Sequence, residues 1–180
     1  MKAVLISIRP KWCEKIVNGK KTIEVRKTRP KLETPFKCYI YCTLPRYPHE
    51  DFIETDYPKP QFYGGGKVIG EFVCDRIDKI WKRGCPENFD YCYLSLNEWG
   101  NDDIASEIND ITASCLSKNE LNLYGAKVPW LYGWHISNLK VYDKPRELDS
   151  FTGLRDTKFG AAPHDIRRAP QSWCYVEVIE

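Results

Sequence analysis

Residues 19–26 read Gly-Lys-Lys-Thr-Ile-Glu-Val-Arg. In an extended strand alternate side chains share a face, so Thr22, Glu24 and Arg26 fall on one side and Ile23 and Val25 on the other. A carboxylate, a guanidinium and a hydroxyl then form one polar row with lysines at its mouth. Arg supplies a rigid fork of donors and Glu supplies acceptors, so such a row can hold a polar, planar ligand. The plain alternative is a strand carrying a solvated Glu–Arg pair, which contributes little energetically.

The element before the row must hold it in place. Residues 10–18 read as a helix, with Pro10 suited to its first turn and Gly19 to a left-handed stop. Trp12, Cys13, Ile16 and Val17 recur at the spacing of a buried stripe. A helix docked by that stripe fixes the loop Gly19 to Lys21, and sites on rigid elements keep their geometry.

These segments resemble a known family. The run Ser7-Ile-Arg-Pro-Lys-Trp12, followed by Gly19, Lys21, Thr22, Glu24 and Arg26, is similar to the G-x-K-T-x-E-x-R signature of ASCH domains, members of the PUA-like superfamily. Segments 66–73, 116–121, 132–136 and 171–176 also look like that family. The resemblance implies an α+β fold: a mixed, mainly antiparallel β-barrel with flanking helices, helix 10–18 plugging one end. It also implies a cleft beside the motif that binds RNA or a nucleotide-like ligand. Its ligand-binding set would be Ser7, Arg9, Lys21, Thr22, Glu24 and Arg26, with Gln171. Trp134 and Trp173 are candidates to stack on an unpaired base, against the alternative of core packing. Arg167 and Arg168 are candidates for a phosphate-contacting lid, against the alternative of a solvated basic loop.

Some ASCH proteins are amidohydrolases of acylated cytidine with a Lys–Thr–Glu catalytic set. Carried onto this chain, the lysine falls on Lys21, and the threonine position holds Glu24. Glu107 and Asp110 are candidates for the third group. A carboxylate cannot replace a hydroxyl nucleophile, but it can act as a base or as a covalent nucleophile beside a lysine. The alternative function is therefore a small hydrolase of a modified nucleoside, using Lys21 and Glu24. Strict alternation places Lys20, not Lys21, on the face of Glu24; Lys21 is kept on the family pattern.

The whole chain narrows the choice. Its 180 residues and the absence of a repeat or linker suggest one domain over 1–180. The net charge of +2 argues against an extended duplex as partner, which needs a strongly basic face. Six Trp, eleven Tyr and seven Phe leave rings available for stacking. The expected partner is short single-stranded RNA, a nucleotide or a modified nucleoside. No apolar run is long enough for a membrane span or an export signal, so the expected location is the cytoplasm, with reduced thiols. The eight cysteines form no Cys-x-x-Cys pair, and His49, His135 and His164 are scattered, so no metal is expected. No cofactor is expected either: Gly64-Gly65-Gly66 lacks a P-loop ending and reads as a hinge.

The remaining pattern predicts strands over 2–8, 21–26, 37–43, 67–80 and 132–142, with 173–179 closing the sheet. Gly70 suggests a bulge. Helical pieces are expected in 85–125, including a helix opened by the capping box Ser117-Lys-Asn-Glu120. Long irregular loops are expected near 44–66 and 143–172, the second lying across the mouth of the cleft.

Overall fold

The computed structural model describes residues 1–45, 47, 52–56, 61–84, 91–96 and 112–179. Glu107, Asp110 and His49 lie outside them. The fold is mixed α+β and mostly strand. Strand β1 (Lys2–Ile8) leads into helix α1 (Pro10–Val17), followed by β2 (Ile23–Arg26) and β3 (Phe36–Cys42). Next come the short β4 (Phe52–Ile53) and β5 (Phe62–Tyr63), then β6 (Lys67–Cys74), β7 (Ile77–Gly84) and β8 (Tyr91–Leu96). Helix α2 (Lys118–Tyr124) precedes β9 (Trp130–His135), β10 (Ser137–Arg146), β11 (Thr152–Thr157), β12 (Gly160–Asp165) and β13 (Trp173–Glu177).

One sheet runs β10-β6-β3-β1-β13-β11-β12, a second runs β2-β9-β7-β8, and β4 pairs with β5. The sheets do not close into a barrel, which corrects the expected architecture. The reason lies in two strands that each read as continuous. The pattern over 67–80 breaks at Asp75 and Arg76, and the pattern over 132–142 breaks at Ile136, so each passes from one sheet to the other. The two breaks sit side by side, with His135 N–H donating to the Arg76 carbonyl at 2.9 Å.

Alternation explains the core. On β3, Cys38, Ile40 and Cys42 enter one apolar cluster with Ile6, Ile16, Phe72 and Trp134. Tyr39 and Tyr41 enter a second, with Leu5, Phe151 and Val176. Both faces of this strand are therefore covered. Gly70 stands where the β3–β6 register shifts, and a Cβ there would meet the Lys140 carbonyl oxygen at 2.5 Å. The bulge expected at this glycine is present, and close backbone approach is what requires it.

Three local expectations change. Residues 91–96 form a strand against β7, where helical pieces were expected. Segment 143–172 is largely ordered as the end of β10, a 3₁₀ turn at Leu148–Ser150 and the β11–β12 hairpin. The glycine triplet ends in a tight turn: Gly66 has φ +79° and donates to the Cys42 carbonyl at 2.9 Å. No helix among the described residues is long and apolar enough to cross a membrane.

Candidate functional site

The C-terminus of α1 decides which lysine joins Glu24. Gly19 takes φ +70°, and the N–H groups of Lys20 and Lys21 both turn back to the Lys15 carbonyl, at 2.8 and 3.0 Å. That turn resets the alternation. Lys20 points outward, with its ammonium 3.6 Å from Asp56, while Lys21 turns inward and is buried. Thr22, which shares the Glu24 face on paper, is exposed and outside the cleft. Its backbone instead extends the ladder, its N–H donating to the Ala113 carbonyl and its carbonyl accepting from Ile136.

Glu24 sits between two cations. Lys21 Nζ lies 3.3 Å from Glu24 Oε2, and an Arg26 terminal nitrogen lies 3.0 Å from Oε1. The three side chains are 1%, 7% and 9% exposed for Lys21, Glu24 and Arg26. Backbone carbonyls complete the set: Lys21 donates to Ser114 and Arg26 to Ser7, each at 2.6 Å. Arg26 also hydrogen-bonds the Tyr124 phenol, whose pKa is raised chiefly by burial. Arg26 Nε is buried and has no hydrogen-bond partner among the described residues. One carboxylate against two cations leaves the trio with a net charge of +1.

Above this floor opens a cleft of about 560 Å³. Arg9, Lys11 and Trp12 line it from the start of α1, and Leu116, Glu120, Leu123 and Tyr124 line it from around α2. Ser7, Thr43, Gln171 and Ser172 close its end. Ser7 is held there, donating through its hydroxyl to the Pro170 carbonyl at 2.7 Å. Lys11 reaches across to Glu120 at 2.9 Å and also lies 4.1 Å from the centre of the Trp12 ring. Glu120 belongs to the capping box of α2, in which the Ser117 hydroxyl accepts from the Glu120 N–H and the Ser117 N–H donates to Glu120 Oε2. These bonds, the Ser117 N–H first and then Lys11, hold the Glu120 carboxyl at about 2.

Of the residues singled out in the sequence, Ser7, Arg9, Lys21, Glu24, Arg26 and Gln171 border this cleft. Trp134 does not: it lies opposite Glu24 in the β2–β9 pair but is fully buried, edge-on to Phe36. Trp173 is half-buried outside the cleft and donates to the Thr28 hydroxyl at 3.0 Å. Arg167 and Arg168 do not line this cleft but another cavity, which meets it at Thr43 and is lined also by Tyr41, Glu147, Asp149 and Asp165. Only Gln171 and Ser172 of the supposed covering loop reach the cleft. Trp12, Tyr124, Lys11 and Glu120 were not singled out, because a helical stripe and a capping box account for two of them locally.

The family signature can now be set against known proteins. A family model described as "ASCH domain" matches residues 6–41, which span β1, α1, β2 and β3. The chain is therefore similar to ASCH domains over that N-terminal segment. The match covers the floor of the cleft except its α2 side. The fold resembles the ASCH protein of Zymomonas mobilis, with a TM-score of 0.50 at 17% identity over 82% of this chain and 74% of that one. A serine-to-alanine mutant of the same protein gives a TM-score of 0.53 at 17% identity, over 97% and 88% of the two chains. A tyrosine-to-phenylalanine mutant gives 0.50 at 17% identity, over 83% and 78%. At that identity the likeness concerns the fold alone. No curated protein matches the sequence.

Proposed function

We propose that this ASCH-like domain binds a nucleotide or short single-stranded RNA in the cleft beside the Gly19–Arg26 motif, without catalysis of its own. The observation that carries this reading is the pairing of half-buried rings with surplus positive charge. Trp12 from α1 and Tyr124 from α2 both line the cleft, while Arg9, Lys11, Lys21 and Arg26 outnumber Glu24 and Glu120. A base can stack on the rings and a phosphate can meet Arg9 and Lys11. The stacking role first considered for Trp134 and Trp173 passes to Trp12 and Tyr124.

The hydrolase alternative fits less well. Lys21 and Arg26 already engage both oxygens of Glu24, and Lys21 also serves the Ser114 carbonyl. A carboxylate bound in this way is a poor base and a poor nucleophile. The buried trio suits a different task, holding the floor rigid beneath a ligand that touches the exposed rim.

Titrating nucleoside monophosphates and short RNA against intrinsic tryptophan fluorescence tests the proposal. Trp12→Leu keeps an apolar side chain against the core but removes the ring, and should weaken binding by about 1–3 kcal/mol. Acylated and alkylated nucleosides, incubated with the protein in parallel, should come back unchanged. Turnover that disappears in Lys21→Ala would replace the binding reading with the hydrolase.

A further inference from the structure

The cleft does not end at Thr43. A second cavity of about 780 Å³ opens beside it and shares Arg9, Lys11 and Thr43 as a common edge. Both volumes lie in the range of roughly 300–1,000 Å³ that accommodates a small organic ligand. Neither cavity needs the other to hold one nucleotide, and the residues between them are two cations and a hydroxyl.

The second cavity differs in chemistry from the cleft. Its walls carry Tyr47, Phe52 and Leu44, the last 73% exposed and Tyr47 50% exposed. Its own carboxylates, Glu14 and Glu54, balance the shared Arg9 and Lys11. A phosphate deep in this cavity would face those carboxylates, whereas at the common edge it meets the two cations. A base fits the cavity better: its face can stack on Tyr47, and the N–H groups on its edge can donate to Glu14 or Glu54. Local structure keeps the edge in place. Thr43 N–H donates to the Ile8 carbonyl at 2.8 Å, and the Arg9 carbonyl caps α1 by accepting from Trp12 and Cys13.

We infer that the ligand is a single-stranded oligonucleotide of at least two residues. One base sits in the cleft, the linking phosphodiester lies over Arg9 and Lys11, and the next base lies in the second cavity against Tyr47. This rests on the proposed nucleotide-binding function and adds the minimum length and path of the ligand.

Binding of a ribonucleoside monophosphate, the matching dinucleotide and a trinucleotide should be compared by calorimetry. The dinucleotide should bind at least about ten-fold more tightly than the monophosphate, the step that one added stacked base supplies. Tyr47→Ala, a change at a half-exposed position, should remove most of that gain. Equal affinity for the two ligands, or a Tyr47→Ala protein that keeps the full gain, would overturn the two-base path while leaving the single cleft intact. Failure of every nucleotide to bind would instead remove the functional reading beneath it.

Discussion

Glu24 and Glu120 face the same cleft, and each holds a lysine. Glu24 lies on the floor between Lys21 and Arg26, with all three side chains at least nine-tenths buried. Glu120 lies on the rim against Lys11, where the two side chains are 39% and 56% exposed. The same pair of residue types does different work in the two places. On the floor, desolvated charges can persist only because each satisfies another, so the set is fixed. On the rim, water and salt compete with the pair, so it can open for a ligand at little cost.

The largest expected effect comes from breaking the floor. Glu24→Ala leaves Lys21 and Arg26 buried together without their anion, and should cost about 3–5 kcal/mol of stability. Urea denaturation of wild type and variant measures it. Lys11→Ala, the matching change at the rim, should cost no more than about 1 kcal/mol. If the two losses are equal, the division into fixed floor and adjustable rim is wrong.

That division was only half legible in the sequence. Strand alternation places Glu24 and Arg26 on one face because that rule is local and survives in β2. It fails at Lys21, because the left-handed Gly19 resets the chain just before the strand. Trp134 offered no local sign of its burial, which depends on Phe36 and Trp173 from distant strands. Trp12 was read as core; its helix has only eight residues, and the ring lies at the boundary between core and cleft. The capping box revealed where α2 begins. Nothing in its four residues could reveal that Glu120 also meets a lysine 109 positions earlier. The corner at Ile136 was missed for a similar reason: a strand that changes sheets keeps its apolar pattern through the bend.

The rim should govern binding as the floor governs stability. Lys11 has to be shared between Glu120 and an incoming phosphate. Glu120→Gln removes the competing charge yet retains a side chain able to complete the capping box. Nucleotide affinity should therefore rise, by up to about five-fold for an exposed pair worth roughly 0.2–1 kcal/mol. Lys11→Ala should weaken binding and flatten its salt dependence. Two or three phosphate contacts on a single strand give a log–log slope of roughly −1.5 to −2, and losing one contact should reduce it by about 0.7. An unchanged slope would move the phosphate away from Lys11. A wild-type slope steeper than about −5 would mean an extended phosphate track in place of a two-cavity path.

The smallest effect is a pH dependence confined to the rim. Glu120 has its carboxyl lowered from an ordinary 4.5 to about 2, first by the Ser117 N–H and then by Lys11 and the Ser117 hydroxyl. Because the folded value is the lower one, the charged carboxylate favours the folded cap. The contribution is fully present above the ordinary value and disappears as pH falls through about 2. Acidification from neutrality should thus leave the start of α2 intact until well below pH 4.5, the range in which an unassisted glutamate would already be protonated. The side chain is partly exposed, at 39%, so the effect should appear in local amide exchange at Ser117 to Glu120 rather than in global stability. An NMR titration should give a Glu120 midpoint near 2, moved upward in Lys11→Met but kept below 4.5 by the Ser117 bonds that remain. A wild-type midpoint at the ordinary value would mean that the capping bonds are not maintained in solution. The α2 side of the cleft would then lack the fixed helix start on which Leu123 and Tyr124 depend for their position.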